Sequence, residues 1–186
     1  MILIADSGST KSDWVLAGGQ KEIITFNTKG FNPFFHEEAF IIESLNNVTE
    51  LNNRTELVKN IFFYGAGCSS NEMNAIIEKA LSKFFPSAKV VVDHDLMACA
   101  LSTYDGNPGI SCILGTGSNS CFYDGNQLYE EVPALGYILG DEGSGSYYGK
   151  KLLTDYLYNR LPKNIHSDLE NTFTISKSSI FENVYM

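Results

Sequence analysis

Residues 4–14, IADSGSTKSDW, begin as an apolar strand, end that strand on Asp6 and then place Ser7-Gly8-Ser9-Thr10-Lys11-Ser12 in one tight turn. Glycine lets the backbone approach an anion closely, successive N–H groups in a tight turn form a concave anion site, and Ser or Thr hydroxyls add donors. The stretch therefore reads as a phosphate cradle. Residues 113–122, ILGTGSNSCF, repeat the pattern of apolar strand, hydroxyl-Gly-polar turn and second strand. One such hairpin is explained by turn chemistry alone. Two of them, each opening its own run of strands and helices, predict two like α/β units facing one another across a cleft.

The better-known phosphate loops do not fit. A P-loop needs G-x-x-x-x-G-K-[ST]; Lys11-Ser12 supplies the last pair, but Thr10 and Ala5 stand where the two glycines belong. A dinucleotide-binding G-x-G-x-x-G opens a helix, whereas both turns here lead into strands. Asp6 lies at the carboxyl end of the first strand, where α/β sheets place ligands. An acid beside a phosphate cradle points to a cation between them, and Mg²⁺ needs few protein carboxylates; the alternative is that Asp6 caps its own turn. Lys11 is either a phosphate partner or a solvated turn residue.

Around the first turn, periodicity predicts strands at 2–5, 14–17 and 22–26, with Gly18-Gly19 as the hairpin, a helix through Phe40, Ile41, Leu45 and Val48, and a strand at 61–64. An amphipathic helix from Met73 to Phe84, a buried strand at 90–92 and a helix over 96–103 follow. This order implies a mixed sheet with helices on its faces. Beyond Tyr104-Asp105-Gly106-Asn107-Pro108, strands are predicted at 110–114, 121–123 and 127–130, with Gly125 as a hairpin, then loop to Gly143. Tyr148, Leu152, Leu153, Tyr156, Leu157 and Leu161 trace a long helix stopped by Pro162, and the rest is polar with weak helical patterning. The domains are expected at 1–108 and 109–186.

The 186 residues are 44% hydrophobic, enough for a core, and carry 13 Lys+Arg against 22 Asp+Glu, a net charge of −9. No basic run is present to engage phosphates along a polymer, so neither nucleic acid nor an anionic membrane is an expected partner. The first apolar run is too short for a signal peptide, and no stretch approaches the roughly 18 apolar residues of a span; a cytoplasmic protein is expected. Cys68, Cys99, Cys112 and Cys121 lack C-x-x-C spacing and read as buried free thiols. His36, His94 and His166 show no ligand spacing, and Tyr147 and Tyr148 read as core residues.

The combination of DSGSTKSDW, GTGSNS and GDEGSGSYYGKK (residues 140–151) resembles the N-acetylglucosamine kinases and related BadF/BadG-type ATPases, of the actin-like, sugar kinase and Hsp70 superfamily. The resemblance runs in order from residue 1 to about 160. It implies an actin-like ATPase (ribonuclease H-like) fold, two similar βββαβα domains around a cleft holding Mg²⁺ and ATP, and transfer of the γ-phosphoryl group to a sugar, N-acetylglucosamine first. By the same resemblance Asp6 serves the metal, Gly8, Ser9, Thr10, Lys11, Thr116 and Gly117 the phosphates, and Asn32, Asn119, Gly136 and Asp141 the sugar. Asp95 in VVVDHDLMACAL takes the place of the catalytic base, with Asp93 its competitor; from spacing alone Asp95 is equally a helix N-cap. A sugar and ATP are the implied small-molecule partners, with a homodimer left open.

Members of that family continue beyond residue 186 with a further glycine-rich adenosine segment and a terminal helix. The second domain is thus expected to be incomplete, and activity of this chain alone is open. Two other readings stand beside the kinase: an ATPase that activates a partner enzyme, which calls for clustered cysteines, and a non-catalytic sugar- or nucleotide-binding remnant.

Overall fold

In β1 (Ile2–Ser7) the side chains of Leu3, Ala5 and Ser7 are buried and their neighbours are not; in β2 (Lys11–Ala17) the buried set is Ser12, Trp14 and Leu16. This is the two-residue alternation of strands with one face on a core. β3 (Ile23–Lys29) completes an antiparallel meander, closed where the Gly18 N–H donates to the Glu22 carbonyl at 2.8 Å. The computed structural model describes residues 1–19 and 22–185, so Gln20 and Lys21 of that hairpin lie outside the described residues.

From β3 the chain passes through α1 (Glu38–Asn46) to β4 (Asn60–Gly65), then through α2 (Asn71–Phe84) to β5 (Lys89–His94). β4 runs parallel to β1 and β5 parallel to β4, giving a five-stranded mixed sheet in the order β3-β2-β1-β4-β5. Ile41 and Leu45 of α1 and Ile77, Ala80 and Leu81 of α2 bury against one face, joining Leu3, Leu16, Ile61 and Phe63 in one core. At its centre Trp14 meets Phe26, Phe31 and Phe63 at ring separations of 5.8, 6.0 and 5.9 Å, and its indole N–H donates to Thr28 Oγ1 at 3.0 Å. Ser70 caps α2 by accepting the Met73 N–H. α3 (Asp95–Thr103) packs on β1, β4 and β5, with Leu96 and Ala100 buried outside that core.

The expected elements are present, with corrections. The strand at 90–92 is not fully buried: β5 is an edge strand, and Val91 is 38% exposed. Cys68 and Cys121 are buried, but Cys112 is exposed and Cys99 half-buried, so the expectation of four buried thiols fails at these two positions. A second sheet, β6-β7-β8, comprises Gly109–Leu114, Ser118–Tyr123 and Leu128–Tyr129. Its last strand is only two residues long, shorter than the predicted 127–130.

By packing, the chain forms two compact units, residues 1–112 with 120–132, and residues 113–119 with 133–186. The division expected after residue 108 rests on the sequence repeat, a different criterion from packing. The second unit carries α4 (Gly136–Leu139), α5 (Gly145–Leu157), α6 (Lys163–Thr172), α7 (Lys177–Ile180) and a final turn over Phe181–Tyr185. α4 falls where loop was predicted. α5 ends before Pro162: the Tyr158 N–H returns to the Thr154 carbonyl, and Asn159 adopts a left-handed φ of 51°, a conformation that stops a helix. Pro162 instead precedes α6 as its cap residue. Tyr147 and Tyr148, expected in the core, are 40% and 63% exposed and pack edge to face on each other.

Candidate functional site

The first turn is built on a buried hydroxyl pair. Ser7 and Ser12 close the β1–β2 hairpin as cross-strand partners on the core face, and Ser12 Oγ donates to Ser7 Oγ at 2.6 Å. Ser7 Oγ also accepts the Phe31 N–H at 2.9 Å, while Ser12 Oγ lies 3.2 Å from the Lys29 carbonyl it can share. Above them Gly8 N–H donates to the Lys11 carbonyl at 2.9 Å, which leaves Ser9 and Thr10 exposed at the tip. Gly30 crosses directly behind. A Cβ there would stand 2.1 Å from the Gly8 oxygen and 2.7 Å from the Thr10 nitrogen, and the Gly30 N–H donates to the Thr10 carbonyl at 2.9 Å. The turn's shape thus depends on Gly30, Ser7 and Ser12, none of which the sequence reading assigned a role in the site.

Asn32, buried to 6% exposure, donates through Nδ2 to Ser9 Oγ at 3.0 Å and accepts the Phe34 N–H through Oδ1 at 3.0 Å. Lys11 pairs with Asp13 at 2.7 Å, both side chains well exposed, and Asn27 also donates to Asp13. In this state Lys11 is a solvated turn residue.

Asp6 leaves β1 on the face opposite Ser7, directly across from Asp13 in the β1–β2 register. Although its residue reaches solvent, the surrounding protein removes enough water to push its carboxyl pKa up, and the charges of Asp95 and Asp13 push it further. Three carboxylates therefore share one field, the situation a divalent cation relieves. Among the described residues no three His, Cys, Asp or Glu side chains converge to chelate a metal. Mg²⁺ keeps most of its shell as water and substrate phosphate around one or two carboxylates, and Asp6 is the carboxylate that would hold it here.

Asp95 is the first residue of α3. His94 holds the cap position without a side-chain cap bond, and the Asp95 carboxylate accepts the next N–H, that of Leu96, at 3.0 Å. Asp93 accepts the His94 N–H at 2.8 Å and lies 3.5 Å from His94 Nε2; its charge, like that of Asp95, acts on Cys68, and it also acts on Tyr64. Burial pushes the Cys68 thiol up to about 12, so it is no nucleophile at neutral pH.

The second turn sits in the other unit and is organised by Asp141. Gly115 N–H donates to the Gly117 carbonyl at 2.9 Å, and Ser118 N–H donates to Asp141 Oδ1 at 3.0 Å. A Cβ on Gly117 would come 2.9 Å from that carboxylate oxygen, so glycine is what admits it. Gly145 and Ser146 N–H groups donate to the Gly115 and Thr116 carbonyls, and Ser118 Oγ donates to the Glu142 carbonyl. The GTGSNS and GDEGSG stretches are therefore one interlocked element, with Asp141 itself at a left-handed φ of 59° and buried Ser144 capping α5. Thr116 is exposed at the turn, Asn119 is half-buried on β7, and Gly136 is exposed at the start of α4 with φ 69°.

No family model matches the sequence, and no curated protein matches it. Among solved structures, a candidate N-acetylglucosamine kinase from Porphyromonas gingivalis superposes with a TM-score of 0.90 at 36% identity, over 100% of this chain and 66% of its own length. The chain belongs to the family of the N-acetylglucosamine kinases and their related ATPases. A second candidate N-acetylglucosamine kinase, from Chromobacterium violaceum, matches at TM-score 0.66 and 16% identity, over 98% of this chain and 67% of its own. A candidate sugar kinase from Cytophaga hutchinsonii matches at 0.52 and 18%, over 98% and 69%. The last two show the fold alone, the actin-like α/β fold of sugar kinases. This family member spans just under two thirds of the length of its Porphyromonas relative.

Proposed function

We propose that the chain carries the phosphate, metal and base elements of an ATP-dependent sugar kinase that transfers the γ-phosphoryl group to a hydroxyl of an amino sugar, N-acetylglucosamine first. The observation that carries the reading is the place of Asp6 at the end of β1, beside a turn closed by Ser7, Ser12 and Gly30 so that Ser9 and Thr10 stand exposed at its tip. In this reading Asp95, whose carboxylate accepts the neighbouring Leu96 N–H, accepts the proton of the attacking sugar hydroxyl. The hydroxyl oxygen bonds to the γ-phosphorus as the bond to the β,γ-bridging oxygen breaks, and ADP leaves with that electron pair. Gly8, Ser9, Thr10 and Lys11, with Thr116 and Gly117 of the second turn, hold the phosphates. Asp6 would hold Mg²⁺, which would supply charge neutralisation, and positioning does most of the rest. Asn119, Gly136 and Asp141 remain assigned to the sugar, although Asp141 also orders its own turn. The partition into like halves at 1–108 and 109–186 belongs to the same reading.

The test is a coupled ADP-release screen of hexoses, hexosamines and N-acetylhexosamines. Stimulation by an N-acetylhexosamine is expected; ATP turnover that no sugar stimulates would favour a partner-activating ATPase instead. Asp95→Asn keeps shape and hydrogen bonding but removes the proton acceptor, so kcat should fall on the order of 10²- to 10⁴-fold with a much smaller change in sugar KM. Asp93→Asn should stay within about threefold of the unsubstituted protein by the same argument, and the reverse pattern would move the base to Asp93.

A further inference from the structure

Three hydrogen bonds tie the first phosphate turn to the segment that follows β3. Two involve the segment's backbone: Gly30 N–H to the Thr10 carbonyl and Phe31 N–H to Ser7 Oγ. The third comes from a side chain of the segment itself, Asn32 Nδ2 to Ser9 Oγ at 3.0 Å. The orientation of that amide is set by its other end, because Oδ1 faces the Phe34 N–H, a group that can only donate. Space for Oδ1 is made by Gly67 at φ 82°, where a Cβ would stand 2.5 Å from it. The Asn32 carbonyl in turn accepts the Phe35 and His36 N–H groups, each at 3.0 Å, which winds the segment into a tight turn around this residue. Both polar ends of the side chain are therefore engaged inside the protein, between the exposed tip of the phosphate turn and the backbone of the 32–36 turn.

We infer that Asn32 is a positioning residue for the phosphate turn: it holds Ser9 in place from the substrate-side segment, so that the order of the turn and the order of residues 32–36 depend on each other. The consequence for catalysis rests on the kinase reading above. A residue that the family resemblance assigns to sugar contact would then govern nucleotide affinity even when no sugar is present, and a ligand that settles one segment would settle the other.

Hydrogen exchange tests the tie without any ligand. Amide exchange of Gly8, Gly30 and Phe34 is compared in the unsubstituted chain, Ser9→Ala, Asn32→Ala, the double variant and Ser9→Thr. Ser9→Ala should speed exchange at Phe34 as well as Gly30, and Asn32→Ala should speed it at Gly8, each by about 3- to 10-fold, the worth of one neutral hydrogen bond. The double variant should be no faster than the faster single, since both remove one contact. Ser9→Thr, which keeps the acceptor at an exposed site, should restore the slow rates. Changes confined to the substituted segment, or effects that add, would overturn the inference. In a second arm, sugar-free Mg·ATP affinity should fall about 3- to 10-fold in Asn32→Ala; an unchanged affinity in Asn32→Ala would overturn the positioning role. Failure of the unsubstituted chain to bind Mg·ATP would count against the kinase reading, while the exchange pattern would still decide the tie.

Discussion

Asp6 concentrates the site's electrostatics in one group. Burial first, then Asp95 and Asp13, raise its pKa above the ordinary carboxylate value, which means the folded state holds this proton more tightly than the unfolded state does. The sign follows directly. The stabilisation is present at low pH and is lost as pH rises from the unfolded pKa through the raised folded one, so at neutral pH without a cation the ionised Asp6 opposes folding. Asp6→Asn is therefore expected to raise Tm near pH 7 in divalent-free buffer, by on the order of 1 °C or more for a chain of this size. The gain should shrink as pH is lowered through the carboxylate range, and added Mg²⁺ should raise the Tm of the unsubstituted chain more than that of the variant. A thermal scan across pH, with and without Mg²⁺, checks all three. An Asp6→Asn chain no more stable than its parent at pH 7 would show that the three carboxylates do not share one field.

At the scale of elements, the crossing of Gly30 behind the phosphate turn makes the sharpest demand on sequence. A methyl at that position would be 2.1 Å from the Gly8 carbonyl oxygen and 2.6 Å from the Ser9 carbonyl carbon, backbone atoms that cannot swing aside. Gly30→Ala should cost about 1–3 kcal/mol, the usual range for forced overpacking, and should abolish Mg·ATP binding where the kinase reading holds. Gly149→Ala, in α5 with nothing within 4 Å of the added carbon, should instead stabilise by roughly 0.5–1 kcal/mol. Denaturant midpoints of the two variants should move in opposite directions, and a neutral Gly30→Ala would refute the close approach. The sequence announces the turn itself, because Asp, Gly and hydroxyls cluster between two alternating strands. It is silent on Gly30, since a glycine ending a strand looks the same whether it bends freely or passes within van der Waals distance of another loop. Trp14, Phe63 and Leu81 are readable as core from periodicity, as the structure finds them. Val91 and Cys112 are misread because apolar character says nothing about whether a strand is central or at an edge. The stop of α5 at Leu157 is misread because an obvious breaker, Pro162, hides the left-handed Asn159 just before it. Asn32 and Asp141 are picked out by motif, but what their side chains bond inside the fold is long-range geometry that spacing does not encode.

At the scale of the molecule, the two units differ in how they are held. The first has a continuous core in which Trp14, Phe31, Phe63, Phe85, Ile41, Leu45, Ile77 and Leu81 are fully buried. In the second, the residue buried among those described is Ser144, while Leu135, Ile138, Leu139, Leu157 and Phe173 are each more than half exposed. Its order rests on the interlocked turns at Gly115–Ser118 and Asp141–Ser146 and on helical hydrogen bonds, terms that individually contribute about 0.5–1.5 kcal/mol each. Among the described residues no apolar side chain of this unit is fully buried, and several are only half-buried, so the dominant favourable term in folding contributes less there. Amides of β1, β4 and α2 are therefore expected to exchange only through global unfolding, whereas those of α5 and α6 should exchange through local opening, at least about 100-fold faster after correction for intrinsic rates. The exposed apolar side chains should bind a hydrophobic dye under native conditions, and mild proteolysis should cut within residues 133–185 well before it cuts 1–112. Uniform protection across both units, with no dye binding and no preferred cleavage, would mean that the second unit draws stability from a source other than its own packing.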